Sequence, residues 1–270
     1  IYTTSGFIVM LAIIGAGLVG LLDDWLKVSR ERNLGLNKRA KTFGLLAVAI
    51  GFSVAMVTLT DVHTMVSFTR FDHPGWDLSD VGWVLWAVLL IYATSNSVNL
   101  TDGLDGLAAG SGVFAFAAFL VVGFWSFRHP EIYQTNHALD LAIVSAAMLG
   151  ACAGYLWWNA APAQIIMGDT GSLAIGTALA ALALGLNVQL LLVIVGAVYV
   201  AEASSVIIQV GFFKLTGKRV FRMAPIHHHF ELKGWPDTWV IIRFWMFAGF
   251  AVALGLGIFY RDFTVVEILP

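Results

Sequence analysis

Eight stretches of this chain, at residues 5–22, 42–60, 80–98, 106–126, 139–158, 172–186, 188–211 and 239–260, are apolar on every side and nearly free of charge. A helix needs about 20 mostly apolar residues to cross roughly 30 Å of hydrocarbon. Strands of a membrane barrel would instead alternate over segments of about ten residues. These runs are longer and do not alternate, so helices are predicted. The sixth and seventh continue without a charge until Glu202 and are divided at Gly185-Leu186-Asn187-Val188-Gln189, because one helix would overshoot the bilayer.

The fold class expected is therefore an all-α polytopic membrane protein with eight transmembrane helices, forming one domain over 1–270. Only 12% of the residues are charged and 59% are hydrophobic, against about 25% charge in a soluble domain. That balance excludes a soluble globular enzyme, a disordered chain and a nucleic-acid binder with a basic face. A single cysteine, Cys152, leaves no disulfide framework and no multi-thiolate zinc site.

Lysine and arginine set the orientation of such a bundle. Lys27, Arg30, Arg32, Lys38, Arg39 and Lys41 occupy one loop, and Lys214, Lys218, Arg219, Arg222 and Lys233 another, with Arg243 just inside the following span. Eight spans put both loops on the same side, which is predicted to be cytoplasmic. Arg70, Arg128 and Arg261 fall opposite. Both chain ends are then exterior. The chain starts at Ile1 without the pattern of a signal peptide, and an even number of preceding spans would suit an exterior start.

Acidic residues gather where apolar runs reach the basic side. The first run ends in Asp23-Asp24-Trp25-Leu26-Lys27, and on a continued helix Lys27 is one turn from both carboxylates. A solvated, salt-bridged helix exit would read the same way. The third run ends in Asn99-Leu100-Thr101-Asp102-Gly103-Leu104-Asp105-Gly106, two Asp-Gly units three residues apart. An ordinary loop with Asx turns is the plain alternative, weakened by its position between two apolar runs. The fifth run leads through Asn159 and Pro162 to Met167-Gly168-Asp169-Thr170-Gly171-Ser172, where Thr170 or Ser172 is a candidate cap for the next helix. Five carboxylates on one side would repel unless a cation joined them. Oxygen ligands of this kind suit Mg²⁺, and Mg²⁺ with carboxylates and lysine describes phosphoryl transfer. The second basic loop carries His227-His228-His229 within Pro225–Gly234. Adjacent histidines point in different directions, so phosphate or sugar binding is expected there rather than zinc. Glu202, inside the seventh run, is either functional or paired with a neighbouring polar group.

Taken in order, these clusters resemble the polyprenyl-phosphate N-acetylhexosamine-1-phosphate transferases. The Pro225–Gly234 string with its three histidines is similar to the phospho-N-acetylmuramoyl-pentapeptide transferase branch of that superfamily. The resemblance covers essentially the whole chain. It implies a ten-helix fold of which these eight runs look like the last eight. It also implies transfer of phospho-N-acetylmuramoyl-pentapeptide from UDP-N-acetylmuramoyl-pentapeptide to undecaprenyl phosphate, giving lipid I and UMP in peptidoglycan synthesis. The cofactor implied is Mg²⁺, and the place is the cytoplasmic face of the bacterial inner membrane. Membrane lipid is the surroundings, a homodimer is allowed by the same analogy, and nucleic acid has no part.

By that resemblance Asp169 holds Mg²⁺, while Asp23 and Asp24 activate or orient the lipid phosphate and Lys27 neutralises charge. Asn99, Asp102, Gly103, Asp105, Met167 and Gly168 line the nucleoside pocket, within motifs that also include Asn159 and Ser172. Phenylalanine is common in the family where this chain has Met167, which implies weaker stacking on uracil. His227, His228 and His229 contact phosphate or the muramoyl sugar. A sister enzyme transferring N-acetylglucosamine 1-phosphate shares the acidic clusters, and the triple histidine argues against it. A transporter would hold its carboxylates near the midplane between repeated halves, not at helix ends.

Overall fold

The computed structural model describes residues 3–31 and 35–268. Arg32, one of the cations assigned to the first basic loop, lies outside the described residues. Helices α1 (Thr4–Ser29), α2 (Lys38–Leu59), α3 (Ser79–Thr101), α4 (Leu107–Arg128), α6 (Ala138–Asn159), α9 (Ala197–Thr216) and α11 (Asp237–Ile268) are long and apolar enough to cross a membrane. The chain is thus a multi-pass, mostly helical membrane protein. Short helices α5 (Pro130–Tyr133), α8 (Leu191–Val195) and α10 (Ile226–Glu231) sit between them.

The sixth expected crossing, 172–186, falls in α7 (Gly168–Gly185), which is not among those seven. Its first turn is polar, and at 18 residues it is about 27 Å long at 1.5 Å per residue. α7 occupies the centre of the bundle against α1 and α3, buried from Ile175 to Gly185. A helix walled by protein does not need the all-round hydrophobicity that lipid imposes. Small residues let it in: a methyl at Gly20 of α1 would lie 2.3 Å from the Asp169 carbonyl oxygen, so the two backbones touch there. Ser95 and Thr177 hydroxyls meet at 2.8 Å between α3 and α7. The expected run 188–211 is broken at Gly196 into α8 and α9.

The all-α expectation needs one further correction. β1 (Met65–Arg70) and β2 (His73–Asp77) form an antiparallel hairpin between α2 and α3. Its backbone is tied to the loop after α7, where Leu190 N–H donates to the Ser67 carbonyl at 3.0 Å and the Gln189 side chain accepts from Ser67 N–H at 3.1 Å. Arg70 reaches Asp262 of α11 at 3.2 Å, and His137 at the head of α6 meets the Gly185 carbonyl at 3.0 Å. Arg70, Arg128 and Arg261 therefore share this end of the bundle. The opposite end gathers the last turns of α1, α3 and α6 and the first turns of α2, α4 and α7. Outward faces carry large apolar side chains such as Leu11, Leu85, Phe250 and Leu254, exposed as lipid contact requires.

Candidate active site

α1 outlasts its apolar run and stays helical to Ser29, which puts Asp23, Asp24 and Lys27 on one helical turn. Lys27 Nζ lies 2.6 Å from Asp23 Oδ2 and 3.2 Å from Asp24 Oδ1. The same ammonium is 3.3 Å from Asp169 Oδ2, in the first turn of α7. Lys41, in the first turns of α2, approaches that oxygen at 2.6 Å. Asn99, near the end of α3, donates to Asp169 Oδ1 at 2.6 Å and to Ser172 Oγ at 2.9 Å. Four elements thus supply one cluster.

One oxygen from each of Asp23, Asp24 and Asp169 lies within 4.8 Å of the others. Two ammoniums against three carboxylates leave one negative charge, in surroundings where Asp23 and Asp169 are buried. The oxygens are not equivalent. Asp24 Oδ2 accepts from Thr170 N–H at 2.9 Å and Thr170 Oγ1 at 2.7 Å, and Oδ1 takes Asp169 N–H at 3.3 Å. Asp24 therefore caps α7, the task expected of Thr170 or Ser172; Ser172 instead donates back to the Gly168 carbonyl. Gly168, at φ +63°, leaves room for Asp24 Oδ2, which a methyl there would meet at 2.6 Å. Asp23 Oδ1 holds Leu36 N–H at 2.7 Å. Asp169 Oδ1 has Asn99 as its donor and a second lone pair to offer. The carboxylate donors of Asp23, Asp24 and Asp169 are hard oxygens of the kind that suit Mg²⁺.

The α3–α4 loop adjoins this cluster. Burial pushes the Asp102 carboxyl up to about 7, and the charges of Asp169, Asp24 and Asp105 act in the same direction. Asp105 Oδ2 accepts from Ala163 N–H at 2.9 Å. Asn159 is buried and braces the site, accepting from Gly106 N–H at 2.9 Å and donating to the Ile165 carbonyl at 2.8 Å. Met167 folds over the first turn of α7, where a methyl on Gly171 would meet its Cγ at 2.3 Å.

The histidine loop reaches the same region. His227 is fully buried, with Nδ1 3.0 Å from Glu202 Oε2 of α9. Its Nε2 lies against Gly103, where a methyl would come within 2.4 Å. His228 pairs with Glu231, and His229 Nδ1 accepts from Arg222 N–H at 3.0 Å. The His227 and His228 rings lie with centroids 4.1 Å apart, and with Glu231 they offer ligand atoms within 4.8 Å of one another, so two of the three histidines converge. Lys41 is the site residue that sequence reasoning placed only among the loop cations. Its signal was a lysine one residue before an apolar run.

Residues 6–187 match Glycosyl transferase family 4. A phospho-N-acetylmuramoyl-pentapeptide-transferase of Frankia alni is 49% identical over 97% of this chain and 77% of its own length. Those of Beutenbergia cavernae and Streptomyces coelicolor are each 48% identical over 97% of this chain and 78% and 76% of theirs. The chain belongs to the phospho-N-acetylmuramoyl-pentapeptide transferase family. Similarity to these transferases extends past residue 187 and takes in the histidine loop, which the broader family match does not reach. The acidic cluster belongs to both ranges.

Proposed function

We propose that this chain transfers phospho-N-acetylmuramoyl-pentapeptide from its UDP carrier to undecaprenyl phosphate, giving lipid I and UMP for peptidoglycan synthesis. The observation that carries the reading is Asp23, Asp24 and Asp169 interleaved with Lys27 and Lys41 where the apolar helices end. A lipid phosphate anchored in the bilayer and a water-soluble nucleotide sugar can meet only at such a depth.

The reaction brings two anions together. An oxygen of the lipid phosphate forms a bond to the sugar-bearing phosphorus, and the bond from that phosphorus to UMP breaks. A phosphate monoester has a second pKa of about 6, so the attacking group arrives largely dianionic. Charge neutralisation and alignment then dominate the barrier. Lys27 and Lys41 offset the negative charge, and Asp23 fixes Lys27 from below. Asp24 and Asn99 set the position of Asp169, which we assign as the Mg²⁺ ligand. Mg²⁺ supplies the further positive charge that the pyrophosphate and departing UMP require. Asp102, Gly103 and Asp105 form the nucleoside side of the pocket, and His228 and His229 the phosphate or sugar side.

We read α7 as an eighth crossing shielded from lipid, within a ten-helix family fold. We assign the site to the cytoplasmic face of the bacterial inner membrane because the basic loops lie on its side of the bundle, where they would attract both anionic substrates. The test is UMP release by full-length protein in detergent with undecaprenyl phosphate, Mg²⁺ and either UDP-N-acetylmuramoyl-pentapeptide or UDP-N-acetylglucosamine. Release with the muramoyl donor alone is expected. Release with the N-acetylglucosamine donor alone, or with neither, would overturn the proposal.

A further inference from the structure

Glu202 and His227 are both completely buried, on α9 and α10, and they face each other at 3.0 Å. The same Glu202 oxygen also lies 3.5 Å from His227 N–H. Glu202 Oε1 and both ring nitrogens of His227 make no hydrogen bond among the described residues, so the two side chains meet as a close charge contact while Oε2 accepts only from the His227 backbone. A carboxylate held out of water is costly unless its partner matters to the fold or to the work of the protein. A carboxylate beside Nδ1 selects the ring state that carries a proton there and fixes the ring's orientation. The opposite nitrogen lies beside Gly103, where an added methyl would come within 2.4 Å of it.

We propose that Glu202 is a positioning residue, which joins the histidine loop to the Asp102–Asp105 loop through His227. Three elements meet in this joint: α9 through Glu202, α10 through His227, and the α3–α4 loop through Gly103. The joint fixes the spacing between Asp102 and Asp105 on one side and His228 and His229 on the other. The inference rests on the proposed reaction, in which these two loops hold different parts of the same nucleotide sugar. Asp23, Asp24 and Asp169 are braced independently by Lys27, Lys41 and Asn99. Loosening the joint therefore weakens the grip on the nucleotide sugar and leaves the lipid side alone.

The experiment compares Glu202→Leu, Glu202→Gln and the parent protein, full length in detergent, measuring kcat and the KM for each substrate. Glu202→Leu removes the carboxylate beside Nδ1 and should raise KM for UDP-N-acetylmuramoyl-pentapeptide about tenfold or more. Its KM for undecaprenyl phosphate should stay within about twofold. Glu202→Gln keeps an oxygen beside Nδ1 and an acceptor for the His227 backbone N–H, and should recover most of the loss. Gly103→Ala, which forces His227 away, should reproduce the pattern of Glu202→Leu. A kcat loss with both KM values unchanged, or equal rises in both, would overturn the proposal, as would a Glu202→Gln variant no better than Glu202→Leu. If Glu202→Leu does not fold, the comparison of Glu202→Gln with Gly103→Ala decides. Near-parental nucleotide-sugar KM in Gly103→Ala, or a tenfold rise in Glu202→Gln, would contradict the joint. Failure of the parent protein to turn over the muramoyl donor would instead remove the underlying functional reading.

Discussion

The Asp24 carboxylate closes the N-terminus of the helix that begins beside it, receiving both the N–H and the hydroxyl of Thr170, at 2.9 and 2.7 Å. The arrangement couples the last turn of α1 to the first turn of α7, and so ties the place of Asp23 and Lys27 to the place of Asp169. Negative charge at a helix N-terminus is favourable in its own right. Asp24 thus shapes the site as well as lining it.

Removing that cap should cost stability as well as activity. Asp24→Ala is expected to lower unfolding stability by about 0.5–2 kcal/mol, the range for lost N-caps. Asp24→Asn retains an acceptor oxygen and should lose less. Thermal unfolding in detergent measures the difference, and an Asp24→Ala protein as stable as the parent would show that the cap contributes nothing.

Lys41 neutralises the carboxylate at the centre of the site from 2.6 Å. Lys41→Met should reduce kcat about 100-fold, comparable to loss of one preorganised electrostatic donor. Lys41→Arg keeps the charge and should lie between. Unchanged turnover in Lys41→Met would place the residue outside the chemistry.

The contact of α1 with α7 at Gly20 leaves no room for a methyl, whose nearest atom would be backbone at 2.3 Å. Gly20→Ala should therefore part the two helices at the level of Asp169, costing about 1–3 kcal/mol of stability along with activity. Gly150, which has open space around it, is the control: Gly150→Ala should be silent by both measures. Equal behaviour of the two variants would refute the close-packing account.

Asp102 has its carboxyl raised to about 7 by burial, with Asp169, Asp24 and Asp105 adding to the shift. A carboxyl raised in the folded state favours folding fully below its unfolded pKa of about 3.9 and loses that contribution as pH climbs through about 7. Unfolding temperature measured from pH 5 to 8.5 should accordingly fall with rising pH more steeply in the parent than in Asp102→Asn. Parallel pH curves for the two proteins would contradict this.

Much of the site was legible in the sequence because helical spacing is local. Asp23, Asp24 and Lys27 sit one turn apart on paper and in space. The side of the membrane shared by the acidic clusters followed from counting spans, and Arg70, Arg128 and Arg261 do lie at the other end. What escaped were pairings across long stretches of chain. Lys41 with Asp169 and Glu202 with His227 leave no periodic trace. Asn159 stood out in sequence only as part of a motif, and its bonds to Gly106 and Ile165 show how it braces the loop. The hairpin at 65–77, which turns at Phe71-Asp72, was hidden by the apolar runs flanking it, despite the Pro74-Gly75 pair just after the turn. The helix over 172–186 was legible as α7, but not its central place, because contacts with α1 and α3 leave no mark in its composition.

The central claim is that Asp169, braced by Asn99, Lys27 and Lys41, holds the Mg²⁺ used in transferring the phosphosugar to the lipid. It is tested most directly by lipid I formation from labelled UDP-N-acetylmuramoyl-pentapeptide across a Mg²⁺ titration, comparing the parent with folded Asp169→Asn protein. Saturable Mg²⁺ dependence in the parent is expected, with lipid I abolished in Asp169→Asn at every Mg²⁺ concentration. Lipid I formed at near-parental rates by Asp169→Asn at limiting Mg²⁺ would contradict the account.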